Sequence, residues 1–172
     1  MIGQMIAESL QISLRYAEKL AVGVTPEQFG RLIVIDGQPI DSNHPAWVYG
    51  HLSLYASRII GDLGGDPKPY LPSPDWVTLF SHQSRCVDDP SGSIYPQKDL
   101  LVSAVLDGYR AAEQLLRATP DDVFSQPNPN EAMRGRLATM GSMHAFYTGG
   151  HIMIHMGQVS AWRRMAGLGS AM

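Results

Sequence analysis

Two histidines four residues apart, His151 and His155, lie in the run His151-Ile-Met-Ile-His155-Met-Gly-Gln158 near the end of a 172-residue chain. On a helix, positions i and i+4 project from one face one turn apart, so both imidazoles can reach a single metal ion. Neighbouring positions narrow the chemistry. A zinc-protease helix carries His-Glu-x-x-His, with the glutamate as general base; here Ile152 stands in that position. A di-iron carboxylate bundle needs Glu-x-x-His on two helices, and no Glu-x-x-His occurs in the chain. Taken alone, the pair also reads as two histidines satisfied by hydrogen bonds.

The elements that must position this pair are helical. No proline interrupts Ala132 to Ala166; Gly167 and Gly169 supply a stop, and Arg163 with Arg164 suits the negative end of a helix. Upstream, Ile6, Leu10, Leu14 and Ala17 recur at three- and four-residue spacing and predict a first helix over 2–22. Thr25-Pro-Glu-Gln28 is a capping box opening a short turn to about Arg31, followed by a polar linker over 36–43. A second helix is expected from His44-Pro45 to about Leu63, ended by Gly64-Gly65. His44, Trp47, His51, Leu54, Tyr55 and Arg58 share one of its sides, so His51 sits among large apolar neighbours. Four prolines between Asp66 and Pro74 argue against regular structure there, and 64–95 reads as a long crossover or lid in which Trp76 to Phe80 tucks against the core. A third helix runs from Pro96 to about Ala118 through Leu101, Ala104, Val105, Gly108, Ala112 and Leu115. After a cap-like turn at Thr119-Pro-Asp-Asp122 and a loop at Asn128-Pro-Asn130, the fourth helix carries the histidine pair. No strand-like alternation is sustained. The expected fold is all-α: a four-helix bundle with a long crossover between helices two and three, a single domain over 1–172. Such bundles build metal sites in the core from facing helices, where His51 and the His151/His155 pair could meet.

Composition sets bounds on function. At 44% apolar and 17% charged the chain is globular. A net charge of −3, with no basic cluster beyond Arg163-Arg164, gives nucleic-acid binding little support. The single cysteine, Cys86, cannot form an internal disulfide, and it is expected to be inert. Glu8, Arg15, Glu18 and Lys19 interrupt the N-terminal region, and no apolar run approaches a membrane span. A cytoplasmic location, without membrane or nucleic-acid partners, is the expectation.

On helix four, His144, Thr148, His151, His155, Gln158 and Trp162 fall on one side by spacing. A core-facing stripe with so many polar groups is costly unless each is hydrogen-bonded or liganded. Gly149-Gly150 before the pair weakens a helix by roughly 1 kcal/mol per glycine and points to close helix approach or a local bulge, a feature of functional sites.

Together these segments resemble the DinB-like (DNA-damage-inducible) superfamily of small four-helix metalloproteins. Three pieces carry the resemblance: Trp47-Val-Tyr-Gly-His51-Leu on helix two, Tyr95-Pro96 opening helix three, and His151-x-x-x-His155-x-Gly157-Gln158 running to Arg163 and Gly167 on helix four. The resemblance spans nearly the whole chain. It implies a three-histidine metal site of His51, His151 and His155, and a homodimer. His144 is expected beside the site or in the core, and His44 at a helix cap or on the surface. His82 is expected at a pocket mouth or in solvent, and Gln158 on a ligand's second nitrogen or at a helix contact.

Three neutral imidazoles leave the charge of a divalent ion intact and at least one position free. Zinc or nickel suits imidazole best, with iron also compatible. Such a centre activates water, polarises a carbonyl or holds a thiolate. The resemblance implies a small-molecule substrate with a low-molecular-weight thiol as cosubstrate, in S-transfer, isomerisation or hydrolysis. The alternative is a non-enzymatic, metal-stabilised stress-response or partner-binding bundle. No carboxylate falls on the ligand faces of helices two and four, so no general base is named.

Overall fold

The chain forms helix wherever the apolar stripes recur. The computed structural model describes residues 1–171 and is all-α apart from one small hairpin. α1 (Ile2–Ala21) buries Ile6, Leu10, Leu14 and Ala17, the stripe that predicted it. α2 (Pro26–Phe29) opens with the expected capping box: the Thr25 hydroxyl accepts from the Gln28 N–H, and the Gln28 side chain accepts from the Thr25 N–H. β1 (Val34–Ile35) and β2 (Gln38–Pro39) pair antiparallel around Asp36-Gly37, both at positive φ. The hairpin corrects the expectation of a polar linker over 36–43. An Asp-Gly pair between two extended dipeptides is the signal that expectation passed over.

The second helical segment is α3 (Pro45–Ser53) and α4 (Ala56–Asp62), not one uninterrupted helix. The Gly50 carbonyl, which would accept from Leu54 in an α-helix, takes the Ser53 hydroxyl at 2.7 Å and the Trp76 indole N–H at 3.3 Å. Leu54 and Tyr55 then donate to His51 and Leu52, a tight i→i+3 turn. His44 is the N-cap of α3: its Nδ1 accepts from the Trp47 N–H at 3.2 Å and its Nε2–H donates to the Val87 carbonyl at 2.9 Å. It is fully buried, so its role is capping and not surface.

The proline-rich crossover is more ordered than expected. A 3-10 turn spans Lys68–Tyr70, and α5 (Pro74–Phe80) starts with proline in its first turn and Ser73 as N-cap. Trp76 donates to Ser53 Oγ at 2.8 Å, which fixes α5 on α3. Phe80 is fully buried, as the sequence reading expected for this stretch. Beyond it, the buried Asp89 carboxylate accepts the N–H groups of Ser93, Ile94 and Tyr95 and so pins the crossover before α6.

α6 (Lys98–Ala118) packs on α1, α3 and α4, and α7 (Asp121–Phe124) on α1. The last long segment begins at Met140, later than the sequence reading had it, after a 3-10 turn at Glu131–Met133. α8 (Met140–Ala145) runs through a π-helical turn, Phe146–Gly150, into α9 (His151–Met165). α9 packs on α1 and α3. Arg163, in the last turn of α9 as expected and 7% exposed, donates to the Leu20 and Val22 carbonyls at the C-terminal end of α1 and, at 3.4 Å, to Leu168 just beyond its own helix. Leu10 of α1, Leu52 of α3 and Leu101 and Leu116 of α6, all fully buried, belong to one continuous apolar core. Each such side chain contributes roughly 1.5–3 kcal/mol relative to exposure. No helix among the described residues is long and apolar enough to cross a membrane.

Candidate metal centre

α3 and α9 bring three imidazoles together. The ligand atoms of His51, His151 and His155 all lie within 4.8 Å of one another, so the three lie close enough to bind one metal ion. His51 Nε2 and His151 Nε2 are 3.3 Å apart. His51 and His151 are 3% and 9% exposed, whereas His155 is only half-buried. Trp47, one turn before His51, stacks flat on its ring at 4.8 Å with 7° between the planes.

Backbone and side-chain partners orient two of the rings. His51 Nδ1–H donates to the Phe80 carbonyl at 2.7 Å, which leaves Nε2 as its lone-pair atom. His155 Nδ1–H donates to Gln158 Oε1 at 3.0 Å with the same result. Gln158 thus serves a ligand's second nitrogen, one of its two expected roles, and it is itself held by Asn43 Nδ2 at 3.3 Å. Carbonyl and amide partners on the far nitrogen are how metal-binding histidines are fixed and made more basic. His151 Nδ1 is buried with no partner. Its Nε2 faces the His51 lone pair, an arrangement that needs a proton or a cation between the two nitrogens. One shared cation would satisfy the lone pairs of all three rings. The donor set and its tautomers fit a divalent ion.

Charge points the same way. Burial pushes His51 down to about 4, with His155 and His82 adding to the shift against the Phe80 hydrogen bond. Burial, then His155 and His51, pushes His151 down to about 3. His155 is also lowered, chiefly by burial. At neutral pH all three imidazoles are uncharged, the form in which histidine binds a metal ion.

The turn into the site explains the histidine that did not join it. The π turn at Phe146–Gly150 changes the helical phase between His144 and His151, so of its two expected places His144 takes the core and not the one beside the site. Gly149 and Gly150 lie in this turn, which is the local bulge they predicted. Gly149 also passes close to α1, where a Cβ would meet Ser9 Oγ at 3.1 Å. His144 is fully buried and has no ring contact with the three imidazoles among the described residues. Its Nε2 lies 3.7 Å from Asp62 Oδ2, beyond hydrogen-bond reach, and both ring nitrogens are without a partner. Burial also raises the Asp62 carboxyl, so this contact does not offset the burial of His144, which is pushed down to about 4.

A stability dependence follows. The unfolded chain protonates His144 near 6.5, the folded chain only near 4. The unfolded state therefore binds more protons between these values. The contribution is complete above pH 6.5 and declines as pH falls to about 4, by roughly 3 kcal/mol. Urea melts at stepped pH are expected to show a shallower decline in His144→Leu than in the wild type; parallel curves would contradict this.

Tyr55 is the residue the sequence reading named only as part of a stripe. Its hydroxyl lies 3.4 Å from His51 Nε2, and its ring meets those of His51 at 5.2 Å and His151 at 4.5 Å. The signal was its i+4 spacing from His51. It supplies a neutral O–H at the ligand atoms, where no carboxylate is present. His82 is exposed but close enough to disfavour protonation of His51. Cys86 accepts from the His44 N–H at 3.5 Å, and burial pushes its thiol up to about 11, so it stays protonated and inert. For Gln158→Leu the expected outcome is a loss of zinc affinity of about tenfold without loss of fold, read by chelator competition. Unchanged affinity would remove Gln158 from the site.

Comparison of the chain with protein-family models, curated proteins and solved structures gave no match.

Proposed function

We propose that the chain is a metal-dependent enzyme on a DinB-like four-helix bundle, in which His51, His151 and His155 hold one divalent transition ion, zinc or nickel foremost and iron also compatible. The observation that carries this reading is the convergence of three neutral imidazoles, two with the far nitrogen engaged and the near one free. The bundle would consist of α1, α3–α4, α6 and the segment running from α8 into α9, with the crossover joining the second and third. A homodimer belongs to the same reading and is tested by light scattering.

An ion bound by three neutral ligands supplies a Lewis acid with a position free for an exogenous group. Around it, His51 and His155 are held in register by Phe80 and Gln158, and Trp47 covers one face of His51. The Tyr55 hydroxyl is placed to hydrogen-bond a group presented beside His51. The reaction class we favour is the one the resemblance implies: S-transfer, isomerisation or hydrolysis on a small molecule, with a low-molecular-weight thiol as cosubstrate. The burial of His51 and His151 favours a second reading, a structural ion in a non-enzymatic, partner-binding bundle.

Cobalt substitution distinguishes the two. Addition of 2-mercaptoethanol to the cobalt-loaded protein is expected to give a new sulfur-to-cobalt band. A visible spectrum indifferent to thiol would mean a closed site and favour the structural ion.

A further inference from the structure

Behind Tyr55 lies a cleft of about 250 Å³ whose walls come from the α3–α4 segment, from α5 and from the crossover on either side of it. Arg58 stands in it, exposed, with its guanidinium carbon 5.3 Å from the centre of the Tyr55 ring. No carboxylate among the described residues lies within ion-pair distance of this guanidinium; the Asp62 carboxyl, one turn on, feels its charge only through space. The lining includes no acidic residue. His82, Ser57 and Ser81 add polar groups, and the opposite wall carries Leu71 and Val77, 59% and 42% exposed. One tyrosine ring separates the guanidinium from the imidazoles, because the same Tyr55 that Arg58 covers packs on His51 and His151.

We infer that this cleft binds the anionic end of the substrate: a small carboxylate-bearing molecule whose carboxylate is held by Arg58, whose apolar body lies against Leu71 and Val77, and whose reacting end reaches past Tyr55 to the three histidines. An arginine fork matches a carboxylate with two parallel hydrogen bonds. Stacking on an aromatic face holds the fork in place at little further entropy cost. An exposed, unpaired cation beside exposed apolar side chains is what an amphiphilic anion requires, and neither feature serves the core. The inference rests on the metal centre proposed above and adds the substrate class to it.

Two probes with one metal-binding head separate the claims: acetohydroxamate, which is neutral beyond its head, and succinate monohydroxamate, which adds a carboxylate. Each is titrated into the cobalt-loaded protein and followed by the visible spectrum. The carboxylate probe is expected to bind about tenfold more tightly than acetohydroxamate. Arg58→Gln is expected to abolish that advantage while leaving acetohydroxamate unchanged, and Arg58→Lys to keep part of it. Equal affinity of the two probes for the wild type, or an equal loss of both in Arg58→Gln, overturns the anchor and leaves the metal centre standing. Absence of cobalt bands in any titration overturns the centre, and the anchor with it.

Discussion

Replacing His151 by alanine is expected to reduce zinc affinity on the order of a thousandfold, since partners one shell further out are already worth roughly 10–100-fold. The His151 Nε2 lies 3.3 Å from that of His51, and its ring packs against Tyr55, Phe146 and Tyr147. Two effects compete in the metal-free variant. Truncating a buried ring leaves a cavity, at about 2–4 kcal/mol for a side chain of this size. It also removes a buried nitrogen without a partner, which returns part of that cost. Stability of the apo form should therefore change by less than the cavity alone implies, whereas zinc should no longer raise the melting temperature. His155→Ala, at a half-buried position, gives the same metal phenotype with a smaller packing change. Chelator competition and melts with and without zinc read both quantities. Zinc stabilisation that survives in both variants would show that the ion binds elsewhere.

The second large effect belongs to a residue with no side chain. A Cβ on Gly50 would lie closer than 3.0 Å to three atoms of the Phe80 ring, a distance real Cβ contacts essentially never show. Phe80 is fully buried and cannot swing out of the way, so Gly50→Ala must push α5 off α3. Overpacking of this kind costs about 1–3 kcal/mol. The consequence reaches the site, because the Phe80 carbonyl accepts the His51 Nδ1 proton that sets the ligand nitrogen. Gly50→Ala is expected to lower the melting temperature and to weaken zinc binding by roughly 10–100-fold, though it alters no ligand. A companion Phe80→Leu in the Gly50→Ala background, which removes the ring, should recover part of both losses. Full zinc affinity in Gly50→Ala would dissociate the Phe80 carbonyl from the site.

Periodic signals carried most of the fold. The stripes of α1 and α6 lie within two residues of their expected ends, and the Thr25–Gln28 capping box is made as written. What escaped were competitions that spacing does not encode. The second helix breaks because the Ser53 hydroxyl and the Trp76 indole, 23 positions apart in the chain, both claim the Gly50 carbonyl. The prolines of the crossover were read as breakers, yet Pro74 begins α5, because a first-turn proline loses no hydrogen bond. At the site, the His151/His155 pair is legible in its i, i+4 spacing, whereas His51, which by position alone fits a buried hydrogen-bonded histidine equally well, joins it as a ligand only through the family resemblance. His144 shares the pair's face by straight α-helical spacing and is expected beside the site or in the core; it lies in the core, because the π turn before His151 shifts the helical phase. Gly149-Gly150 carried the only warning, and it marked a bulge without saying which residues would change face. The Phe80 carbonyl could not have been anticipated, since backbone partners leave no trace in side-chain identity.

Elemental analysis of the full chain, purified without an affinity tag and reconstituted with zinc or nickel, tests the central claim most directly. About one transition ion per chain is expected in the wild type, with none retained by His51→Ala or His151→Ala. Failure of the wild type to retain either metal after reconstitution would contradict the account, and three converging neutral imidazoles would then need a ligand other than a metal ion.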